Sequence, residues 1–169
     1  MTECYRQFSE VLDHLADDEE AWLRRQLEYV CVFGDREYGE HDLPAGLDPE
    51  DADWKGIRAW RGKEEVESPW DVGFEYEFGN DEQGGWGRYL WFHSGESDAV
   101  DAVACLVQQF LGRFRPDRCW SLTWAFTCSK PAVGLFGGGA AFVTAEKIEW
   151  LVASDLVEGR RKRFDEERT

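Results

Sequence analysis

The most reactive side chains of this sequence sit in one short run, Cys128-Ser129-Lys130-Pro131. A lysine two residues from a cysteine favours the thiolate, the nucleophilic form of the side chain. Covalent catalysis also needs a general base, and the chain offers only His14, His41 and His93. His93 ends a predicted strand from which it could approach Cys128 across a sheet. The plainer reading is a strand-end cysteine beside a solvated lysine, because a lone cysteine signals little. Cys128, Lys130 and His93 are thus weak catalytic candidates, and no residue is assigned a catalytic role.

Two other runs suggest binding. Gly134-Leu135-Phe136-Gly137-Gly138-Gly139 has the composition of a phosphate loop, but such loops leave a strand and open a helix. Here an apolar strand follows, without Lys-Ser or Lys-Thr, so Gly137, Gly138 and Gly139 read as a tight loop or bulge needing positive φ. Asp48, Glu50, Asp51 and Asp53 form an acidic cluster, with Glu64 and Glu65 further along. The cluster fails the calcium-loop pattern, since Ala52 takes a ligand position counted from Asp48. No metal and no cofactor is expected, and the 35 acids do not single out a catalytic pair.

The charge balance limits the partners. Residues 1–100 hold 26 acids and 9 bases, whereas residues 101–169 hold 9 acids and 10 bases. An acidic first half does not suit phosphate binding, which needs a basic footprint. It does suit steering of a basic protein partner. The five cysteines are odd in number, scattered and free of CxxC spacing, so neither a disulfide framework nor a zinc knuckle is indicated. With no signal-peptide pattern at the start and no membrane-length apolar run, a reduced, soluble, cytoplasmic protein is expected.

These features need elements to place them, and 169 residues fit a single domain. Tyr5, Phe8, Val11, Leu12 and Leu15 recur at three- and four-residue steps and predict a first helix. Asp17 as cap, Glu20 completing a capping box, and Trp22, Leu23, Leu27 and Val30 predict a second, so residues 1–33 read as a helical hairpin. Residues 34–69 are acidic and rich in glycine, which predicts a long irregular surface segment with one short strand near Ile57–Trp60.

From residue 70 a sheet-and-helix core follows. Val72, Phe74, Tyr76 and Phe78 alternate with Gly73, Glu75, Glu77 and Gly79, a half-buried strand. Arg88–His93 follows as a central strand, with Tyr89 and Trp91 on one face and Leu90 and Phe92 on the other. Ser97 is expected to cap a helix whose stripe is Val100, Val103, Val107, Phe110, Leu111 and Phe114, stopped by Pro116. Strands are predicted over Trp120–Thr127, Ala140–Thr144 and Lys147–Leu151, then a last helix capped by Ser154. The order ααββαβββα with hairpin-linked strands predicts an α+β fold on an antiparallel sheet of four to five strands. Most of the nine tryptophans are expected in the core, the rest lining a groove.

The block from Trp120 to Ala145 includes Thr127-Cys128-Ser129-Lys130, Gly134, Phe136-Gly137-Gly138-Gly139-Ala140 and Phe142-Val143-Thr144-Ala145. It resembles a group of uncharacterised bacterial and mobile-element proteins, many with Glu where this chain has Leu135. The resemblance implies a shared fold and carries no activity. The leading expectation is therefore a non-enzymatic acidic protein that engages a basic protein partner through its N-terminal half, one form of which is a nucleic-acid mimic. The alternatives are a small enzyme or ligand-binding domain at the Cys128–Lys130 turn and Gly137–Gly139 loop, or an oligomerising module joined through surplus aromatics.

Overall fold

The computed structural model describes residues 4–34, 74–95, 99–128 and 137–166. Among them the order is β1 (Cys4–Gln7), β2 (Ser9–Leu12), α1 (Asp17–Gly34), β3 (Glu75–Asp81), β4 (Gly87–His93), α2 (Val100–Phe114), β5 (Cys119–Cys128), β6 (Gly137–Thr144), β7 (Ile148–Val152) and α3 (Ala153–Glu166). All strand pairs are antiparallel, in a four-stranded sheet β1-β5-β6-β7 and a three-stranded sheet β2-β4-β3. The fold class is α+β.

The first helix of the expected N-terminal hairpin is replaced by two strands, while the second forms as α1. The chain breaks at Phe8: Cys4–Gln7 pairs with β5, and Ser9–Leu12 pairs with β4. Side chains bridge β2 to β5, with Trp120 Nε1 donating to the Val11 carbonyl at 3.0 Å and Thr123 Oγ1 to Glu10 Oε1 at 2.8 Å. One segment therefore joins the two sheets. Its apolar residues Phe8, Leu12 and Leu15 are buried, as a helix would have required too. An isolated helix this short is marginal in water, and the ladder available on both flanking strands outweighs the local periodicity.

Helix α1 keeps its predicted apolar face, with Trp22, Leu23 and Leu27 buried. Its capping box lies one residue earlier than expected: Glu19 Oε2 accepts the Ala16 N–H at 2.8 Å. Glu20 instead receives Arg24 Nε at 2.8 Å and pairs with Arg88. Helix α2 buries the predicted stripe from Val100 to Leu111, with Phe114 partly buried, and supplies much of the core with Leu122, Trp124, Ala141 and Val143 of the sheet. Its N-cap is Ala99, without a side-chain cap; the expected Ser97 lies outside the described residues.

Gln26 of α1 is fully buried, and its side-chain amide has no hydrogen-bond partner among the described residues. Leaving both amide atoms unsatisfied costs about 1–3 kcal/mol. The isosteric apolar change Gln26→Met is expected to raise stability by about that amount. A urea midpoint at or below that of the parent would show that the amide is satisfied in solution.

Candidate functional site

The two described catalytic candidates, Cys128 and His93, fall in different sheets. Cys128 closes β5 opposite Cys4, in the four-stranded sheet. His93 closes β4 opposite Ser9, in the other sheet. The β1–β2 segment places these positions five residues apart, so His93 is no base for Cys128 across a shared ladder. Lys130 lies outside the described residues.

Gly137, Gly138 and Gly139 also have a place other than the expected loop. They open strand β6, opposite Phe126, Ala125 and Trp124, and none has a positive φ. Gly139 is paired on both sides, to Trp124 and Val152. A Cβ on Gly139 would collide with the Trp124 ring and come 2.7 Å from the Leu151 carbonyl oxygen. The glycines make room for an indole and a neighbouring strand. At Gly139, paired on both sides, the backbone groups are engaged in ladders and are not free to cradle an anion.

Asp48, Glu50, Asp51, Asp53, Glu64 and Glu65, with the whole 34–69 segment apart from Gly34, lie outside the described residues. Among the described residues no group of three or more His, Cys, Asp or Glu is placed to hold a metal ion, and no helix is long and apolar enough to cross a membrane. Cys105 is half-buried in α2, where burial, and then the charge of Asp101, push its thiol up. A raised thiol is the opposite of a reactive thiolate.

The tightest polar cluster joins three elements. Glu19 at the start of α1 takes a two-point contact from Arg115, Nε to Oε1 at 2.7 Å and Nη2 to Oε2 at 2.6 Å. Arg115 follows α2 and also donates to the Asp13 carbonyl at 3.1 Å and the His14 carbonyl at 2.8 Å. Burial alone would raise the Glu19 pKa. The hydrogen bonds from Arg115 and the Ala16 N–H, with the Arg115 charge, outweigh it and leave the carboxyl below its ordinary range. Arg115 is shifted up, foremost by its hydrogen bonds to Glu19. With its hydrogen-bonding capacity spent on neighbours, this cluster clamps the fold.

The face of the three-stranded sheet turned away from the core, open among the described residues, has a different character. Leu90 and Phe92 point into the core, so Tyr89, Trp91 and His93 line the opposite face of β4. The register sets Glu75 beside His93, Glu77 beside Trp91, and Gly79 beside Tyr89, with Ser9 and Val11 on the other flank. Trp91 Nε1 donates to Ser9 Oγ at 2.9 Å, and the Trp91 and His93 rings lie 4.2 Å apart, which holds the indole in place. The Tyr89 ring lies against Gly79, where a side chain would collide with it, and meets the exposed Trp86 edge-on at 5.7 Å. Glu75 and Glu77 are exposed, and neither forms an ion pair among the described residues. Arg88, the nearest base in the register, has the core-side parity and pairs with Asp17 and Glu20.

Ordered aromatic rings edged by carboxylates attract cations, through the ring quadrupole and through charge-assisted hydrogen bonds. The sequence put Tyr89 and Trp91 on one face; the adjoining acids became visible only with the register. Of the six described tryptophans only Trp22 and Trp124 are buried, so more indole surface reaches solvent than expected.

Fold and site together define an α+β domain with a helix-covered core and an open acidic–aromatic sheet face. Compared with family models, curated proteins and solved structures, the chain matches none.

Proposed function

We propose that the protein is a non-enzymatic binding module that engages a basic protein segment on the open face of β2, β4 and β3. The observation that carries this reading is the pairing of Glu75 and Glu77 with the Trp91–His93 aromatic stack, on a face whose described residues include no lysine or arginine. It agrees with the charge of the chain, 26 acids against 9 bases over residues 1–100. Lysine and arginine side chains of the partner would lie over the rings while the two carboxylates take their charge. A long-range acidic field would speed the encounter. The resemblance of the Trp120–Ala145 block to uncharacterised proteins adds nothing to this choice, since no activity comes with it.

The test uses a short lysine- and arginine-rich peptide carrying a fluorophore, titrated by anisotropy. Binding is expected at low salt and weakened at high salt, because exposed charge contacts are screened. Glu75→Gln with Glu77→Gln, and separately Trp91→Ala, should each weaken binding roughly tenfold, equivalent to about 1.4 kcal/mol. Equal affinity for parent and variants would place any peptide binding elsewhere and refute this face as the site.

A further inference from the structure

Seven large apolar residues stand out as exposed among the described residues, and six of them fall within residues 142–166: Phe142, Trp150, Leu151, Leu156, Val157 and Phe164. Five belong to β7 and α3, the last two elements. Among the described residues strand β7 lies at the end of its sheet and pairs with β6 alone. Its register puts Trp150 beside Ala141 and Leu122, on the face that carries α2. Leu151 lies beside Ala140, on the other face. Trp150 is 43% exposed and Leu151 45%, so apolar surface flanks the open edge on both sides.

Strand edges of soluble proteins are usually guarded by charge, proline or a bulge. Here the nearby charges, Lys147 and Glu149, pair with each other, and the hydrogen bond to Glu149 raises the lysine pKa. Leu156 and Val157, 56% and 63% exposed, continue the apolar surface onto α3 directly after the strand.

We propose that a second copy of this chain covers the edge, β7 pairing antiparallel with the partner's β7 about a two-fold axis. The register that pairs all five residues of β7 sets Trp150 against its own counterpart on that axis. The charge pattern selects this occupant. A chain of net charge −16 repels itself, and residues 1–100 carry that excess. Residues 142–166 hold six acids and five bases, so two copies meet there with little repulsion. Helix α3 is self-complementary as well: Asp155 and Glu158 precede Arg160, Arg161, Lys162 and Arg163. A two-fold axis beside the helix runs the two copies antiparallel and sets acids against bases in both directions. Such an isologous contact closes at two copies. The face is apolar and near neutral, unlike the acidic–aromatic face, and the two surfaces are independent.

The test is the molar mass of the full chain by sedimentation velocity and light scattering over a range of concentrations. A dimer is expected that persists at high salt, because burial of apolar surface is not screened. Trp150→Glu, and separately Leu156→Glu with Val157→Glu, should weaken the dimer about 100-fold, equivalent to ~2.7 kcal/mol. These side chains are exposed, and circular dichroism should show both variants folded. A parent that stays monomeric at the highest concentration overturns the proposal. So does a dimer that survives both variants unchanged, which would put the contact on another surface.

Discussion

Arg115→Met is expected to lower stability by about 3 kcal/mol at neutral pH, the largest loss for any single side chain outside the apolar core. The change leaves the Glu19 carboxylate buried without its partner, and removing one member of a buried pair costs about 3–5 kcal/mol. The lower end applies because the arginine side chain is still 20% exposed. Two backbone carbonyls, those of Asp13 and His14, lose a donor in the same step. Replacing both partners by apolar residues should recover only part of the loss, because Glu19 also holds the Ala16 N–H.

The pH dependence separates this account from a general packing defect. In the parent, Glu19 has a folded pKa below its ordinary value of about 4.5. Its contribution is present above that value and is lost as pH falls through the folded pKa. In Arg115→Met the unpaired carboxyl is raised by burial, so its penalty is felt at neutral pH and relieved on protonation. Urea unfolding of both proteins should show a wide gap near pH 7 that narrows below about pH 4. A gap independent of pH would mean that the arginine acts through its packing on Phe110, which its guanidinium overlies at 5.2 Å.

What could be read from the sequence depended on whether the signal was local. The alternation Tyr76–Phe78 and the stripe from Val100 to Leu111 depend on neighbours two to four residues away, and both elements form, with β3 running on to Asp81, two residues past the expected alternation. Cys4–Leu12 is different. The spacing of Tyr5, Phe8, Val11 and Leu12 satisfies a helix, while the change of sheet at Phe8 breaks the period of two that would have revealed strands. Glu19 and Arg115 were each visible only at the end of a helix, where charge of that sign is favoured anyway. Their contact spans 96 residues, and no local pattern announces it.

The candidate site shows the same division. That Tyr89 and Trp91 share a face follows from strand parity. That Glu75 and Glu77 stand beside them requires the β3–β4 register, which the turn closes with Gly84 N–H donating to Asp81 Oδ1 at 2.6 Å and Gly85 at φ 86°. The expected acidic binding residues Asp48 to Glu65 lie outside the described residues, so the proposed face draws on acids that sequence reading had treated only as the wet side of a strand.

The glycine run yields the sharpest test between packing and ligand binding. Gly138→Ala is expected to cost about 2–3 kcal/mol, at the upper end for overpacking, because the new methyl group meets a backbone that cannot rotate away. It would collide with the Trp124 carbonyl oxygen and lie 3.3 Å from the Ala125 Cα, both in the β5 ladder. Gly139→Ala should cost about 1–2 kcal/mol, since part of the strain passes to the Trp124 indole. That ring meets Trp150 edge-on at 5.8 Å, so its displacement should appear in the near-ultraviolet circular dichroism of Gly139→Ala. Gly159 in α3 supplies the control. Nothing lies within 4 Å of the position a Cβ would take there, and Gly159→Ala should stabilise by up to about 1 kcal/mol through helix propensity. If Gly138→Ala unfolds at the same urea concentration as the parent, close packing does not explain these glycines. A ligand at the Cys128 end of β5 would then become the stronger reading. A loss of the expected size shows instead that the glycines let β6 lie flat against Trp124, and the run needs no ligand to account for it.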